Sequence, residues 1–226
     1  MRAFDLVAFD VDGTLVTHSD RKTVWEVLNR RFTGDDTVNE ERHRRVREGR
    51  MSYEEWVSLD IQGWFDAGAD RDALTAAIRE ELQTVGGVRE TVETLRNLGI
   101  RVVVLSGTLD LVLSTLLADV RFDEVYANRI GFDDRGAIAG WTATPFDLEG
   151  KAVALQAIAA RESIALARCA FVGDSRNDLA VARIAGFTVA FNPKCAELAA
   201  VADAVVEGPD LRAVLPCLLD GARPGR

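Results

Sequence analysis

The 226-residue sequence predicts an α/β fold in which a doubly wound parallel sheet carries a helical insertion after its first strand. Two observations predict the sheet. Short apolar runs, at Leu6–Phe9, Ile100–Leu105, Cys169–Val172 and residues 187–191, stop abruptly at small or polar residues, and stretches of helical periodicity separate most of them. A third predicts the insertion: between residues 16 and 85 the strand signals vanish and only helical periodicity remains. A chain of this length can hold such a core, residues 1–15 and 86–226, together with a helical cap domain at 16–85.

The elements follow in order. Leu6-Val7-Ala8-Phe9 is a continuous apolar run, as a buried strand requires. Residues 22–32 place Val24, Leu28 and Phe32 at helical spacing. Residues 52–66 open on Ser52-Tyr53-Glu54-Glu55, a capping box. They carry Tyr53, Trp56, Val57, Ile61, Trp64 and Phe65 on one broad face, which reads as packing surface rather than ligand pocket. Gly68 is placed to end that helix and Asp70 to cap the next, which repeats Leu74, Ile78 and Leu82. Val88, Val92 and Leu95 mark a helix closed by Gly99, followed by a strand at 100–105 and a helix near 110–118. Further strands are expected near 124–127, 168–172, 187–191 and 203–206, with a small hairpin at 129–141 around Asp133-Asp134-Arg135-Gly136. The tail from Gly221 reads as disordered.

Chemistry gathers where the strands stop. The first apolar run ends in Asp10-Val11-Asp12-Gly13-Thr14, a pattern that chance supplies in roughly one chain in several hundred. If the strand persists, Asp10 and Asp12 share one face, and carboxylates that close raise one another's pKa. Gly13 permits backbone N–H groups to approach an anion. The run at 100–105 ends in Ser106-Gly107, and the run at 169–172 ends in Gly173-Asp174-Ser175-Arg176-Asn177-Asp178; Lys151 opens an amphipathic stretch between them. In a doubly wound sheet the ligand crevice lies beyond the carboxyl ends of the strands, where Asp10, Ser106 and Asp174 all fall. Taken alone, Ser106 reads as a helix cap, Lys151 as a solvated charge and the loop at 173–178 as a polar turn. Asp10, Asp12, Asp174 and Asp178 would bring up to four negative charges into one crevice, and Mg2+, a hard cation satisfied by carboxylates and substrate phosphate, is the natural answer.

In this order, the acidic pair, the hydroxyl, the lysine and the second acidic loop resemble the haloacid dehalogenase superfamily of phosphohydrolases. Ala127-Asn128-Arg129 and the segment Gly136–Gly140 resemble its phosphoserine phosphatase branch, and the likeness spans residues 3 to 208. The resemblance implies a Rossmann-like core with a helical cap. It makes Asp10 the nucleophile that forms an aspartyl-phosphate and Asp12 the general acid and base. It assigns Ser106, the Gly107 N–H and Lys151 to the transferring phosphoryl group. Asp10 and Asp174 would ligate Mg2+ through their side chains and Asp12 through its carbonyl, with Asp178 in the outer shell and Asn177 ordering the loop. Thr14 joins the substrate-binding set.

Composition narrows the function further. Hydrophobic residues make up 48% and charged residues 28%, values of a water-soluble globular chain, and a net charge of −9 argues against a nucleic-acid partner. Apolar runs such as Val102–Leu105 are too short to span a bilayer, and the first strand leaves no room for a secretory leader, so no membrane partner and a cytoplasmic location are expected. Cys169, Cys195 and Cys217 show no C-x-x-C spacing and are expected as core thiols, and His18 and His43 suggest no Ser-His-Asp constellation. The expected activity is a Mg2+-dependent phosphomonoester hydrolase acting on a small phosphorylated metabolite. Phosphoserine itself, phosphoryl transfer to another hydroxyl, and a non-catalytic binding role are the alternatives. Phosphoserine phosphatases grip their amino acid with a cap glutamate and a cap arginine; an ungapped register puts Ser19 and Ser58 there, with Asp20 and Asp60 nearby, so phosphoserine is not the lead substrate. The basic segment Arg42–Arg50 reads first as a solvated helix face, with Arg44, Arg47 or Arg50 open to an anionic substrate and His18 placed where it could face one.

Overall fold

Leu6–Phe9 forms β1, the central strand of a seven-stranded sheet. The computed structural model describes residues 3–35, 37–147 and 149–221, so all but the first residue of the expected disordered tail lies outside the described residues. After β1 come β2 (Val16–His18), α1 (Val24–Thr33), α2 (Val38–Arg47), α3 (Tyr53–Asp66), α4 (Arg71–Glu81) and β3 (Leu82–Thr84). The chain then alternates through α5 (Val88–Asn97), β4 (Arg101–Leu109), α6 (Asp110–Leu116), β5 (Glu124–Phe132) and β6 (Ile138–Thr142). It closes with α7 (Gly150–Arg161), β7 (Cys169–Gly173), α8 (Leu179–Ala182), β8 (Phe187–Phe191), α9 (Ala196–Val201), β9 (Ala204–Val206) and α10 (Leu215–Asp220).

The sheet order is β6-β5-β4-β1-β7-β8-β9, parallel throughout except for β5 against β6. Both β4 and β7 pair with β1, so the chain winds away from β1 in two directions and opens a crevice at the carboxyl ends of these three strands. Strand alternation divides the core. Val7 and Phe9 join the cluster that includes Val92 and Leu95 of α5, whereas Leu6 and Ala8 pack with Leu155 and Ile158 of α7. Asp10 continues the even-numbered set, and Lys151 of α7 meets it.

Side-chain caps mark the starts of α1, α3 and α4. Thr23 and Glu26 form a reciprocal capping box at the start of α1, Asp70 caps α4 through the Ala73 N–H, and Gly68, at φ 78°, follows α3 where the chain must turn left-handed. The structure corrects several expectations. Ser52 caps α3 through the Glu55 N–H alone, so the reciprocal box lies at Thr23, where Glu26 can reach back. The stretch at 16–85 is not wholly helical, because β2 and β3 pair antiparallel at its two ends, and Leu82 belongs to β3 rather than to the preceding helix. Three-residue strands are too short to show a period. The strand predicted at 124–127 runs on to Phe132, and its second half becomes one arm of the expected hairpin. Cys169 and Cys217 are buried, but Cys195 is only half-buried, since it precedes α9 at the surface.

Candidate active site

β1 ends at Phe9, so strand alternation does not reach Asp12 as expected. A tight turn carries the chain instead. The Thr14, Leu15 and Val16 N–H groups all donate to the Val11 carbonyl, with Gly13 at φ 91°. The Asp12 carboxylate is thereby aimed at the start of α1, where Oδ1 accepts from the Val24 N–H at 3.0 Å. Burial first, and the nearby Asp10 charge second, push the Asp12 carboxyl up to about 6, within reach of a group that must both give and take a proton near neutrality.

Asp10 is 2% exposed, and Lys151 is fully buried. Lys151 Nζ donates to Asp10 Oδ1 at 2.7 Å and to Asp178 Oδ1 at 2.6 Å, the lengths of charge-assisted bonds. Although burial alone would lower the lysine's pKa, Asp10 and Asp178 overcome that and hold it charged. A buried lysine with two carboxylate partners is no solvated surface charge. The other oxygen of Asp178 accepts from the Asp174 and Ser175 N–H groups at 2.9 and 3.0 Å, so this side chain shapes the loop after β7 from within.

Asp174 differs from its neighbours. It is fully buried, yet neither carboxylate oxygen accepts a hydrogen bond from any described residue, and Lys194 Nζ stands 3.0 Å from Oδ2. Burial raises its carboxyl above the usual range, against the pull of Lys194. Ligand atoms of Asp10, Asp174 and Asp178 lie within 4.8 Å of one another. A trio of buried oxygens, one of them unsatisfied, fits a hard divalent cation. Gly13 belongs to this arrangement: an added Cβ would sit 1.9 Å from Asp174 Oδ2, so only glycine lets that carboxylate approach the first turn.

The β4 side completes the crevice. Its pairing with β5 slips between Leu105 and Leu109, displacing Ser106, Gly107 and Thr108 from the regular ladder. Ser106 Oγ accepts from the Thr108 N–H at 3.2 Å, which leaves its own proton available to donate. The Gly107 carbonyl accepts from Trp25 Nε1 at 2.9 Å and from Asn128 Nδ2 at 2.7 Å, fixing the peptide plane there. Asn177 donates to Asp147 at 2.6 Å and receives a short bond from Ser175, which ties the loop after β7 to residue 147.

The remaining expected site residues border this crevice or stand on the cap. Thr14 is buried with its hydroxyl unpartnered among the described residues. His18 sits in the β2–β3 ribbon with both ring nitrogens engaged: Nδ1 accepts from the Asp20 N–H at 2.9 Å and Nε2 faces Glu81 at 3.3 Å. Arg47 is exposed on α2, and with His43, Tyr53, Asp147, Asn177 and Arg176 it lines an open cavity of about 620 Å³. Arg44 and Arg50 pair with Glu41 and Glu48, as a solvated face would. Ser58 accepts from Trp141 Nε1 at 3.0 Å, Ser19 reaches only Asp20, and Asp60 is held inside the cap by Asn29 and Arg42. Reasoning from sequence missed Lys194, Trp25 and Asp147. Lys194 lies three residues past β8, so the rule that sites follow strand ends could have found it. No comparable signal marks the other two.

A family model described as haloacid dehalogenase-like hydrolase matches residues 7–183, and a second model of the same description matches residues 150–217. The chain is 33% identical to the phosphoserine phosphatase SerB2 of Mycobacterium tuberculosis, over 93% of this chain and 49% of that protein. It is 32% identical to the phosphoserine phosphatase of Streptomyces coelicolor, over 85% of this chain and 45% of that one, and so spans about half the length of these two relatives. With the phosphoserine phosphatase of Methanocaldococcus jannaschii it shares 30% identity over 93% of this chain and 95% of the relative. Among solved structures, a phospho-aspartyl intermediate analogue of phosphoserine phosphatase superposes with a TM-score of 0.72 at 26% identity, covering 96% of this chain and all of that one. A substrate-bound phosphoserine phosphatase complex gives 0.73 at 25%, with the same coverage.

Proposed function

The chain belongs to the haloacid dehalogenase-like hydrolases, and from that premise we propose that it is a Mg2+-dependent phosphatase of a small phosphorylated metabolite. The observation that carries this reading is the buried array at the switch point: Lys151 bridging Asp10 and Asp178 beside the open oxygens of Asp174. Magnesium held by Asp10, Asp174 and the Asp12 carbonyl, with Asp178 behind, would offset the carboxylate charge and polarise the phosphoryl oxygens.

The remaining steps fall to the chain's own groups. Asp10 attacks phosphorus and forms the aspartyl-phosphate while Asp12, protonated at the outset, hands its proton to the departing alkoxide. Asp12 then takes a proton from the water that cleaves the acyl-phosphate. Lys151, the Ser106 hydroxyl and the Gly107 N–H steady the charge on the transferring group. Residues 1–15 and 86–226 form the catalytic core and residues 16–85 the cap. Thr14 and Asn177 support the phosphate end, while His18 and Arg47 face the rest of the substrate only if the cap shifts around them. A cytoplasmic location accords with the free thiols and with the absence, among the described residues, of any helix long and apolar enough to cross a membrane.

Phosphoserine is the second reading, favoured by the names of the relatives. Against it, a zwitterion in a closed pocket needs both charges paired, and Ser19 and Ser58 offer no charge. The test is a panel of phosphorylated amino acids, sugars, polyols and hydroxy acids, followed by inorganic phosphate release with and without Mg2+. The expected result is metal-dependent turnover led by a compound other than L-phosphoserine. Turnover that survives exhaustive chelation refutes the mechanism, and a wide lead for L-phosphoserine refutes the substrate reading.

A further inference from the structure

Lys194 lies outside the motif set, yet its ammonium is the cation nearest the carboxylate that no hydrogen bond satisfies, at 3.0 Å from Asp174 Oδ2. The placement is built in. The Lys194 N–H donates to the Asp174 carbonyl at 2.6 Å, pinning the loop after β8 to the loop after β7. Gly13 clears the space between them, since a Cβ there would stand 1.9 Å from Asp174 Oδ2 and 2.9 Å from Lys194 Nζ. The lysine side chain is 23% exposed and its partner 0%, whereas a surface pair such as Arg176–Glu197 is about half exposed on both sides. Screening is therefore weak at Lys194.

We infer that Lys194 is a second cationic positioning residue of the phosphoryl site, and that it sets the balance between cation affinity and phosphate affinity there. The inference rests on the phosphatase reading above. Formally, Asp10, Asp12, Asp174 and Asp178 carry four negative charges against the two of Lys151 and Lys194, and the remainder is what one divalent cation cancels. Removing Lys194 leaves the pocket one unit more negative, whether or not Asp12 holds its proton. A cation then binds more tightly and an anion less tightly.

The experiment is calorimetry on the intact chain, first with MgCl2 alone and then with inorganic phosphate at saturating Mg2+. Lys194→Met is expected to tighten Mg2+ roughly tenfold and to weaken phosphate by a similar factor, while Lys194→Arg stays close to the parent in both. Lys194 borders an open cavity of about 490 Å³ with Gly13, His18 and Asn192, so losing the ammonium leaves no void in a packed core. If Lys194→Met is insoluble, Lys194→Gln is read by the same criteria. Opposite shifts for the two ions support the assignment. Loss of both affinities together makes Lys194 a structural residue, and no change in either makes it a bystander; both results overturn the inference. A parent protein that binds neither ion overturns the site reading itself, and this assignment with it.

Discussion

Lys151→Met tests whether the central ion array stabilises the fold as well as serving chemistry. The substitution keeps an unbranched chain of similar volume, so little packing is lost. What disappears is the charge that donates to Asp10 at 2.7 Å and to Asp178 at 2.6 Å, with all three residues at most 2% exposed. Breaking a buried pair by removing one partner costs about 3–5 kcal/mol, because the other partner stays buried and uncompensated. That is a large share of the roughly 5–15 kcal/mol that holds an ordinary domain together. The cost should depend on pH, and the sign is fixed. Burial raises the Asp178 carboxyl and Lys151 holds it down, so without the lysine its folded pKa climbs further above the unfolded 3.8. A raised carboxyl makes the folded state take up protons as pH falls through that pKa, which relieves the penalty; above it the penalty is felt in full. Urea unfolding in chelator should therefore show the full deficit near pH 7.5 and a smaller one near pH 5. Phosphate release should drop by roughly 100-fold or more. A Lys151→Met protein as stable as the parent at both pH values would refute the view that this lysine neutralises the buried carboxylates.

Two further substitutions separate the roles of the first turn. Asp10→Asn should abolish acid-stable label on residue 10 after a quench with labelled substrate, whereas Asp12→Asn should retain phosphate binding in a competition assay and lose roughly 100- to 10,000-fold in turnover. Gly13→Ala places a Cβ 1.9 Å from Asp174 Oδ2 at φ 91°, so Mg2+ affinity measured by titration should fall roughly 10- to 100-fold even where phosphate contacts survive.

The sheet was legible because its strands are apolar runs closed by Asp, Ser and Gly, and the same endings marked Asp10, Ser106 and Asp174 as neighbours, whereas Lys151 joined them only through the family resemblance. Three-dimensional pairing was not legible. Nothing local indicates that Arg42 crosses from α2 to the buried Asp60, or that Trp64 donates to Asn29, which in turn donates to Asp60. The basic segment consequently read as a solvated face with Arg44, Arg47 or Arg50 open to a substrate, and Arg42, which pairs with the buried Asp60, was not singled out. His18 shows a related limit: proximity in sequence to the first motif says nothing of the ribbon that directs its ring to Glu81. Asp12 was singled out by its motif and expected by strand alternation, but the turn after Phe9 determines where its carboxylate points.

The opening turn of α1 fastens to the turn after β1 and to β4, once each. The Val24 N–H holds Asp12 Oδ1, and the Trp25 indole holds the Gly107 carbonyl, one beside each of the flanking motifs. Displacing α1 would therefore free the Asp12 carboxylate and the Gly107 peptide plane together. Under the proposed mechanism, alignment of the proton donor would depend on the seating of α1. Thr23 and Glu26, whose reciprocal capping box holds the head of that helix, would bear on both contacts from outside the motif set.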